Sequence, residues 1–234
     1  MHLLIPAAGM GRRMGSDRNK LLLTLLSEPL LAWTLRAAEA AEQITWIGIL
    51  SQPDDWHDFK QIAADLKLSK PVTFIQGGDT RQQSVCNGVL ALPEDAEYVL
   101  IHDGARCLAT PALFDRCAVE TRHAHQEKGA GTIAAIPVKD TIKVVDLQTK
   151  AITDTPERRC LWAAQTPQGF AVRAIQQCHR QGKAEGWEVT DDASLFERCG
   201  LPVVIVPGEE TNLKVTTPMD LTIAEFILRQ RLQL

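Results

Sequence analysis

A stretch near the start of the chain combines glycines with a high density of positive charge. Residues 5–20 have the sequence IPAAGMGRRMGSDRNK and follow a short apolar run. Gly9 and Gly11 allow a tight turn that brings backbone N–H groups close to an anion. One acidic residue, Asp17, lies among the cations Arg12, Arg13, Arg18 and Lys20. This composition predicts an anion site, and the cations favour a triphosphate or a departing pyrophosphate.

The same loop differs from the dinucleotide fingerprint G-x-G-x-x-G. Its third glycine, Gly15, comes one residue late. A dinucleotide site also needs an acidic residue for the ribose near the end of the second strand. That strand ends in Ser51-Gln52, and Asp54 comes only later. A dinucleotide site is therefore the weaker interpretation.

Two later segments also follow apolar runs. In GGDTRQQS, residues 77–84, Gly78 allows close approach of a base or sugar, and Asp79 and Ser84 offer hydrogen-bonding groups. The same letters equally fit a helix start capped by Asp79 or Thr80.

The second segment is HDGAR, residues 102–106. Asp103 could contact a metal ion or a substrate hydroxyl, and Arg106 could bind a phosphate. The alternative is a local ion pair between these two residues. We expect His102 to be a packed histidine rather than a base.

Apolar runs and helical periodicity alternate along the chain. The predicted strands are 3–7, 44–50, 72–75, 98–101, 131–136, 161–165 and 203–206. The predicted helices are 29–41, 54–66, 81–92, 111–125, 171–180, 192–199 and a last one, capped by Thr217-Pro218, that ends near 232. This order predicts an α/β fold, with a mostly parallel sheet and helices on both faces. Ligands of such sheets bind at the carboxyl ends of the strands, where the three segments lie.

Residues 138–155 alternate polar and apolar types and predict an exposed hairpin that turns near 146–150. An isolated hairpin is marginally stable in water, so it should lean on its own domain or on a partner chain. We expect one domain over 1–234, with this arm inserted at about 138–160.

The composition narrows the class of protein. The net charge of −4 gives no basic field for nucleic acid or membrane. The six cysteines form no C-x-x-C pair. With no predicted signal segment or membrane span, we expect reduced, mostly buried thiols in a cytoplasmic protein.

Taken together, the motifs resemble those of a known family. PAAGMGRRM, GGDTRQQSV, HDGAR, PVKDTIK, LWAAQTPQ, TDDAS and NLKVT occur in order over nearly the whole chain. They are similar to motifs of the 2-C-methyl-D-erythritol 4-phosphate cytidylyltransferase family, in the sugar-phosphate nucleotidyltransferase superfamily. The resemblance implies a Rossmann-like sheet, a homodimer clasped by its arms, CTP and a small polyol phosphate as substrates, pyrophosphate as a product, and Mg²⁺ as cofactor.

The resemblance also implies roles for individual residues. The catalytic cations would be Arg13, Lys20 and Lys214. The nucleotide would be held by Ala7, Ala8, Gly78, Asp79 and Ser84, beside the loop glycines Gly9 and Gly11. The polyol phosphate would face Asp103, Arg106 and Thr166, together with Thr141 and Arg158 from the arm of the other subunit. Asp103 is also the candidate protein ligand for Mg²⁺, most of whose ligands would be phosphate oxygens.

The chain departs from the family pattern at several positions. Asn19 replaces the usual proline, which predicts a looser loop, and Leu21 replaces glutamine. Gly104 and Cys107 occur within the family's HDAARP motif. The arm carries Glu157-Arg158-Arg159 where an aspartate-arginine pair is usual, so either arginine could contact phosphate.

Three other functions remain open on the sequence. A cytidylyltransferase for another alditol phosphate, such as ribitol 5-phosphate, would share most of these motifs. An NAD(P)-dependent oxidoreductase would need the dinucleotide site argued against above. A non-catalytic phosphate-binding regulator would not need Arg13 and Lys20.

Overall fold

The computed structural model describes residues 1–9 and 19–233. The strands are β1 His2–Pro6, β2 Thr24–Leu25, β3 Glu28–Pro29, β4 Trp46–Ser51, β5 Val72–Gln76, β6 Tyr98–Ile101, β7 Gly131–Pro137, β8 Val144–Val145, β9 Ile152–Asp154, β10 Trp162–Ala171 and β11 Val203–Pro207. The helices are α1 Leu30–Ala40, α2 Trp56–Asp65, α3 Arg81–Leu90, α4 Pro111–Lys128, α5 Val172–Ala184, α6 Asp192–Arg198 and α7 Pro218–Leu232. The predicted alternation of strands and helices is confirmed.

Seven strands form the central sheet, in the order β11-β7-β10-β6-β1-β4-β5. β1 pairs in parallel with both β4 and β6. β10 is antiparallel to both of its neighbours, β6 and β7. The sheet is therefore mostly parallel, as predicted.

Successive side chains of β1 enter two separate cores. Leu3 and Ile5 pack with α1, α2, α4 and α7 on one face of the sheet. Leu4 packs with α3, α5 and α6 on the other face. All three side chains are fully buried, which fits a central strand covered by helices on both sides.

β10 is twice as long as the five-residue strand predicted over 161–165. Its pairing with β7 shifts register between Ala164 and Gln168, so residues 165–167 bulge out of the ladder. Pro167 has no backbone N–H to donate, and a bulge is one of the few places where a strand tolerates proline. Bulges redirect side chains, and this one lies beside Asp103.

Other differences are smaller. The hairpin of β2 and β3 was not predicted, because its turn residues Leu26 and Ser27 have positive φ angles of 51° and 67° without the usual glycine or asparagine. α4 runs three residues beyond His125 and ends at the left-handed Gly129. The exposed hairpin at 138–155 is confirmed as β8 and β9.

All six cysteines are unpaired thiols, but only Cys107, Cys117 and Cys178 are buried, so "mostly buried" overstates their burial. No helix in the described part of the chain is long and apolar enough to cross a membrane.

Candidate active site

Two cavities that share residues open at the carboxyl ends of the parallel strands. The first has a volume of about 470 Å³ and is lined by Pro6–Gly9, Lys20, Leu21, Gly78–Arg81, Ser84, Asp103–Ala105 and Lys214. The second, of about 190 Å³, is lined by Arg81, Asp103, Arg106, Ala164–Thr166, Gln168, Thr190, Asp191 and Lys214. Arg81, Asp103 and Lys214 line both cavities. The structure thus brings together the three segments expected at this edge of the sheet.

Asp103 lies between two cations. Its Oδ1 is 2.9 Å from Nε of Arg81, and its Oδ2 is 2.6 Å from Nζ of Lys214. Burial acts to raise the pKa of this carboxyl. The positive charges of Arg81 and Lys214 have the larger combined effect and hold the pKa well below its usual range. Asp103 is therefore ionised at neutral pH, with its charge compensated on both sides.

Arg106 does not form the alternative ion pair with Asp103. Its guanidinium donates instead to the backbone carbonyls of Asn212, at 2.7 Å, and Ala164, at 3.2 Å. Arg106 thereby joins the loop after β6 to the loop before α7 and to β10. It lines the second cavity, where a phosphate could meet its remaining N–H groups.

His102 is fully buried and both of its ring nitrogens are occupied. Nε2 lies 3.2 Å from the carbonyl oxygen of Arg106, which can only accept, so Nε2 carries the proton. Nδ1 then accepts from Thr166 Oγ1 at 3.1 Å. Burial lowers the pKa of His102 to about 4. His102 is a neutral, packed residue, as expected, and is not placed to act as a base.

Thr166 is turned toward Asp103 by the bulge in β10. Its hydroxyl accepts from the backbone N–H of Asp103 at 3.0 Å while donating to His102. Asn212 donates to the carbonyl oxygen of Thr166 at 2.8 Å. Thr166 therefore holds the backbone of Asp103 in place, besides lining the second cavity.

The segment after β5 also serves partly as a scaffold. Thr80, rather than Asp79, caps α3 by accepting from the N–H of Gln83 at 3.1 Å. The buried hydroxyl of Ser84 accepts from the N–H of Gly78 at 3.0 Å. A Cβ on Gly78 would lie 2.3 Å from the side chain of Gln83, so glycine lets this loop close on the helix. Asp79 is exposed at the rim of the first cavity.

Asn19 itself is firmly held, whereas most of the loop predicted to be looser, residues 10–18, lies outside the described residues. Asn19 is 3% exposed, and its side-chain nitrogen donates to the carbonyl oxygen of Ala7 and, at 2.7 Å, to Asp55. Its side-chain oxygen accepts from the N–H of Leu21 at 3.0 Å, which caps the short 3-10 helix Lys20–Leu22. These bonds tie Asn19 to Ala7 and to Asp55, and they fix the start of the short helix in which Lys20 is the first residue.

Two of the departures from the family pattern lie in contact. Leu21 is 2% exposed, and a Cβ on Gly104 would lie 2.7 Å from its Cδ1 and 3.1 Å from Cγ2 of Ile5. The absence of a side chain at Gly104 thus makes room for Leu21 at the floor of the first cavity.

Five residues considered for the site either line neither cavity or fall outside the described residues. Thr141 and Arg158 are exposed on the arm, and Nη1 of Arg158 donates to the carbonyl oxygen of Lys139 at 2.9 Å. Arg159 pairs with Glu157 at 2.6 Å. Gly11 and Arg13 lie outside the described residues.

Sequence reasoning missed several residues of the second cavity. Arg81, Gln168, Thr190 and Asp191 line it, although none was selected as a site residue. Arg81 stood in a quoted motif, but only its pairing with Asp103 distinguishes it from a surface charge. The other three come from segments that meet the site only through the path of β10 and the start of α6.

Comparisons with known proteins agree with this architecture. The family model described as 2-C-methyl-D-erythritol 4-phosphate cytidylyltransferase matches residues 1–230. Enzymes with that name from Nostoc punctiforme and from a Nostoc species are 67% and 66% identical over 231 residues, 99% of this chain and 99% of theirs. The crystal structure of 4-diphosphocytidyl-2C-methyl-D-erythritol synthase from Anaerococcus prevotii is similar with a TM-score of 0.85 and 30% identity, over 97% of this chain and 95% of that one.

Replacing Asn19 tests whether it fixes the loop. We expect Asn19→Ala to lower the free energy of unfolding by about 1–3 kcal/mol, because it removes a cap and leaves buried partners unpaired. Urea unfolding measures this, with Asn19→Asp expected to be at least as damaging at pH 7 since its carboxylate would face Asp55. The exposed neighbour substitution Asp54→Asn is the control. A loss below about 0.5 kcal/mol for Asn19→Ala would show that the bonds do not matter.

The contact between Leu21 and Gly104 predicts a coupled pair. Gly104→Ala should destabilise the protein by about 1–3 kcal/mol, because the new methyl group overpacks the floor of the cavity. In a Leu21→Ala background the same change should cost less, by about 0.5 kcal/mol or more. Urea unfolding of the two single variants and the double variant measures the coupling. Additive losses would contradict it.

Proposed function

Because the chain belongs to the 2-C-methyl-D-erythritol 4-phosphate cytidylyltransferase family, we propose that it transfers CMP from CTP to 2-C-methyl-D-erythritol 4-phosphate. The products are pyrophosphate and 4-diphosphocytidyl-2-C-methyl-D-erythritol. The observation that carries the proposal is the pair of cavities that meet at Arg81, Asp103 and Lys214. The larger one has glycine-rich walls and room for a nucleotide. The smaller one has the size and charge for a polyol phosphate.

The reaction needs a phosphate oxygen to attack the α-phosphorus of CTP. A new P–O bond forms there, and the bond from the α-phosphorus to the bridging oxygen of the β-phosphate breaks, so the electron pair leaves with pyrophosphate. A phosphate monoester is already largely dianionic near neutral pH, since its second pKa is about 6. The attacking oxygen therefore needs no general base, which agrees with the neutral, fully bonded His102.

The remaining difficulty is electrostatic, because two polyanions must meet and a third must leave. Fixed cations that neutralise the charge of the transition state supply most of the catalysis in such transfers. Lys20 lines the first cavity and Lys214 lines both, so they can serve the triphosphate and the incoming phosphate. Arg13 would add charge from the loop.

The residues at the site fit a magnesium ion whose ligands come mainly from the nucleotide. The described residues contain no group of three or more acidic, histidine or cysteine side chains with metal-site geometry. Asp103 is ionised, and each of its oxygens keeps a lone pair beyond its bond to Arg81 or Lys214. Mg²⁺ commonly takes one or two carboxylates and completes its shell with phosphates and water. When bound, it would neutralise charge on the triphosphate, and Asp103 is the described residue that would hold it.

The arm supports a homodimer. Its apolar side chains are exposed to solvent, which is unfavourable for a hairpin that stays unpartnered. They are Ile142, Val144, Val145, Leu147 and Ile152, and Leu147 is 79% exposed. Thr141 and Arg158 lie on this arm and line neither cavity of their own chain. A second copy clasped through the arm would cover the apolar residues and bring these polar ones to its site.

The thiols support a reducing compartment. Burial raises the pKa of Cys107 and of Cys117 to about 12, so both remain inert thiols. All six cysteines are unpaired thiols, which is consistent with the reducing cytoplasm.

Pyrophosphate release from CTP tests the proposed function, with methylerythritol phosphate and ribitol 5-phosphate offered in turn. We expect release with CTP and methylerythritol phosphate together, and neither CTP alone nor ribitol 5-phosphate should support a comparable rate. Faster release with ribitol 5-phosphate would assign the chain to the other alditol phosphate. NAD(P)H binding without CTP binding would assign it to an oxidoreductase.

Lys20→Ala tests the electrostatic mechanism. We expect kcat to fall on the order of 10²-fold or more, because one preorganised charge contact to the transition state is lost. Steady-state kinetics measures it, with Lys128→Ala, an exposed residue in the last turn of α4, as the control. A kcat within twofold of the parent protein would refute the role.

Mixed dimers test the sharing of sites. Lys20→Ala and Arg158→Ala subunits, each inactive alone, should regain about a quarter of the parent activity after mixing, because half of the dimers then carry one intact site. Activity is measured after subunit exchange, which mass spectrometry of differently labelled chains verifies. Exchange without recovery would show that each site uses its own Arg158.

A further inference from the structure

Arg81 connects two carboxylates that come from different elements. Its Nε is 2.9 Å from Oδ1 of Asp103, in the loop after β6, and its Nη1 is 2.9 Å from Oδ2 of Asp192, the first residue of α6. The carboxylate side chains are 10% and 2% exposed, and that of Arg81 is 25% exposed. The three groups form a mostly buried acid–cation–acid bridge beside the two cavities.

The position of Arg81 in its own helix is unfavourable without these partners. It is the first residue of α3, where the helix dipole disfavours a positive charge. The two carboxylates compensate for this. A lysine could supply the charge, but the wider, planar guanidinium can hydrogen-bond to Asp103 and form an ion pair with Asp192 at the same time.

The far end of the bridge is anchored in the fold. The side-chain oxygen of Gln168 accepts from the N–H groups of Asp192 and Ala193, at 3.0 and 2.9 Å. Asp191 accepts from the side-chain nitrogen of Gln168 at 3.0 Å and caps α6. Asp192 is thus fixed against β10, and Arg81 transmits this position to Asp103.

The Asp103 end of the bridge determines how Lys214 is paired. Arg81 takes Oδ1 of Asp103, which leaves Oδ2 for Lys214 at 2.6 Å. If Arg81 were absent, Lys214 would be the remaining ion-pair partner of a buried carboxylate. It would then be less available to an incoming phosphate.

We infer that Arg81 is a positioning residue, which holds the Asp103 carboxylate and thereby sets Lys214 for the acceptor phosphate. The inference deepens the proposed function and rests on it. The activity of the unmodified protein tests that function separately.

The test is a double-mutant cycle between Arg81→Gln and Asp103→Asn, read as kcat and KM for CTP and for the polyol phosphate. Arg81→Gln alone should lower kcat/KM for the polyol phosphate by about 10²-fold, the effect of a misplacement of about 1 Å, and change KM for CTP less than threefold. In the Asp103→Asn background the same change should cost less than threefold, because the Asp103 carboxylate that Arg81 positions is then gone and only the ion pair with Asp192 remains. Arg229→Gln, in an exposed ion pair with Glu225, is the matched control and should change kcat/KM less than twofold.

Arg81→Lys is a second variant, in case Arg81→Gln fails to fold. Circular dichroism and thermal unfolding verify the folding of every variant. Arg81→Lys should remain folded and recover part of the activity that Arg81→Gln loses, because it keeps the charge but can reach only one carboxylate. Equal 10²-fold losses in both backgrounds would overturn the inference, and so would an Arg81→Lys variant as active as the parent. An unmodified protein inactive toward every acceptor would instead refute the proposed function. In that case, calorimetric binding of the polyol phosphate to Arg81→Lys and to the parent tests the bridge, and equal affinities would overturn the inference.

Discussion

The compensated charge of Asp103 is the interaction on which the rest of the site depends. A carboxylate just after β6 would repel both anionic substrates if no cation lay beside it. Arg81 and Lys214 neutralise it from opposite sides, at 2.9 and 2.6 Å. Because each cation also lines both cavities, the ion pairs lie where the larger and the smaller cavity meet. The arrangement suits chemistry in which one phosphate must approach another.

The backbone around Asp103 is also held in place, by a chain of hydrogen bonds. The hydroxyl of Thr166 accepts a hydrogen bond from the backbone N–H of Asp103 and donates one to His102. Asn212 donates a hydrogen bond to the carbonyl oxygen of Thr166. These residues come from β10 and from the loops that follow β6 and β11, so the site exists only when the sheet is assembled. The buried His102 remains neutral there and is not placed to act as a proton carrier.

Much of the fold could be predicted from the sequence, because its strands are short apolar runs and its helices have regular periodicity. The three loops at the carboxyl ends of the strands followed from the parallel sheet. What could not be predicted depends on tertiary contacts. β10 continues past Pro167 because a bulge tolerates it, and Arg81 is a site residue because of two carboxylates more than 20 positions away. Asn19 illustrates a different limit, since its side chain replaces the rigidity of a proline ring with three hydrogen bonds.

The central claim is that the acceptor phosphate, rather than water, is the nucleophile that forms the new bond to the α-phosphorus of CTP. Oxygen-18 in the terminal oxygens of the acceptor phosphate tests it most directly, followed by phosphorus NMR and mass spectrometry of the products. The account predicts that one labelled oxygen becomes the bridge of the new diphosphate, that all of the label stays in that product, and that pyrophosphate carries none. Label in pyrophosphate, or a bridge oxygen that comes from water or from CTP, would contradict it.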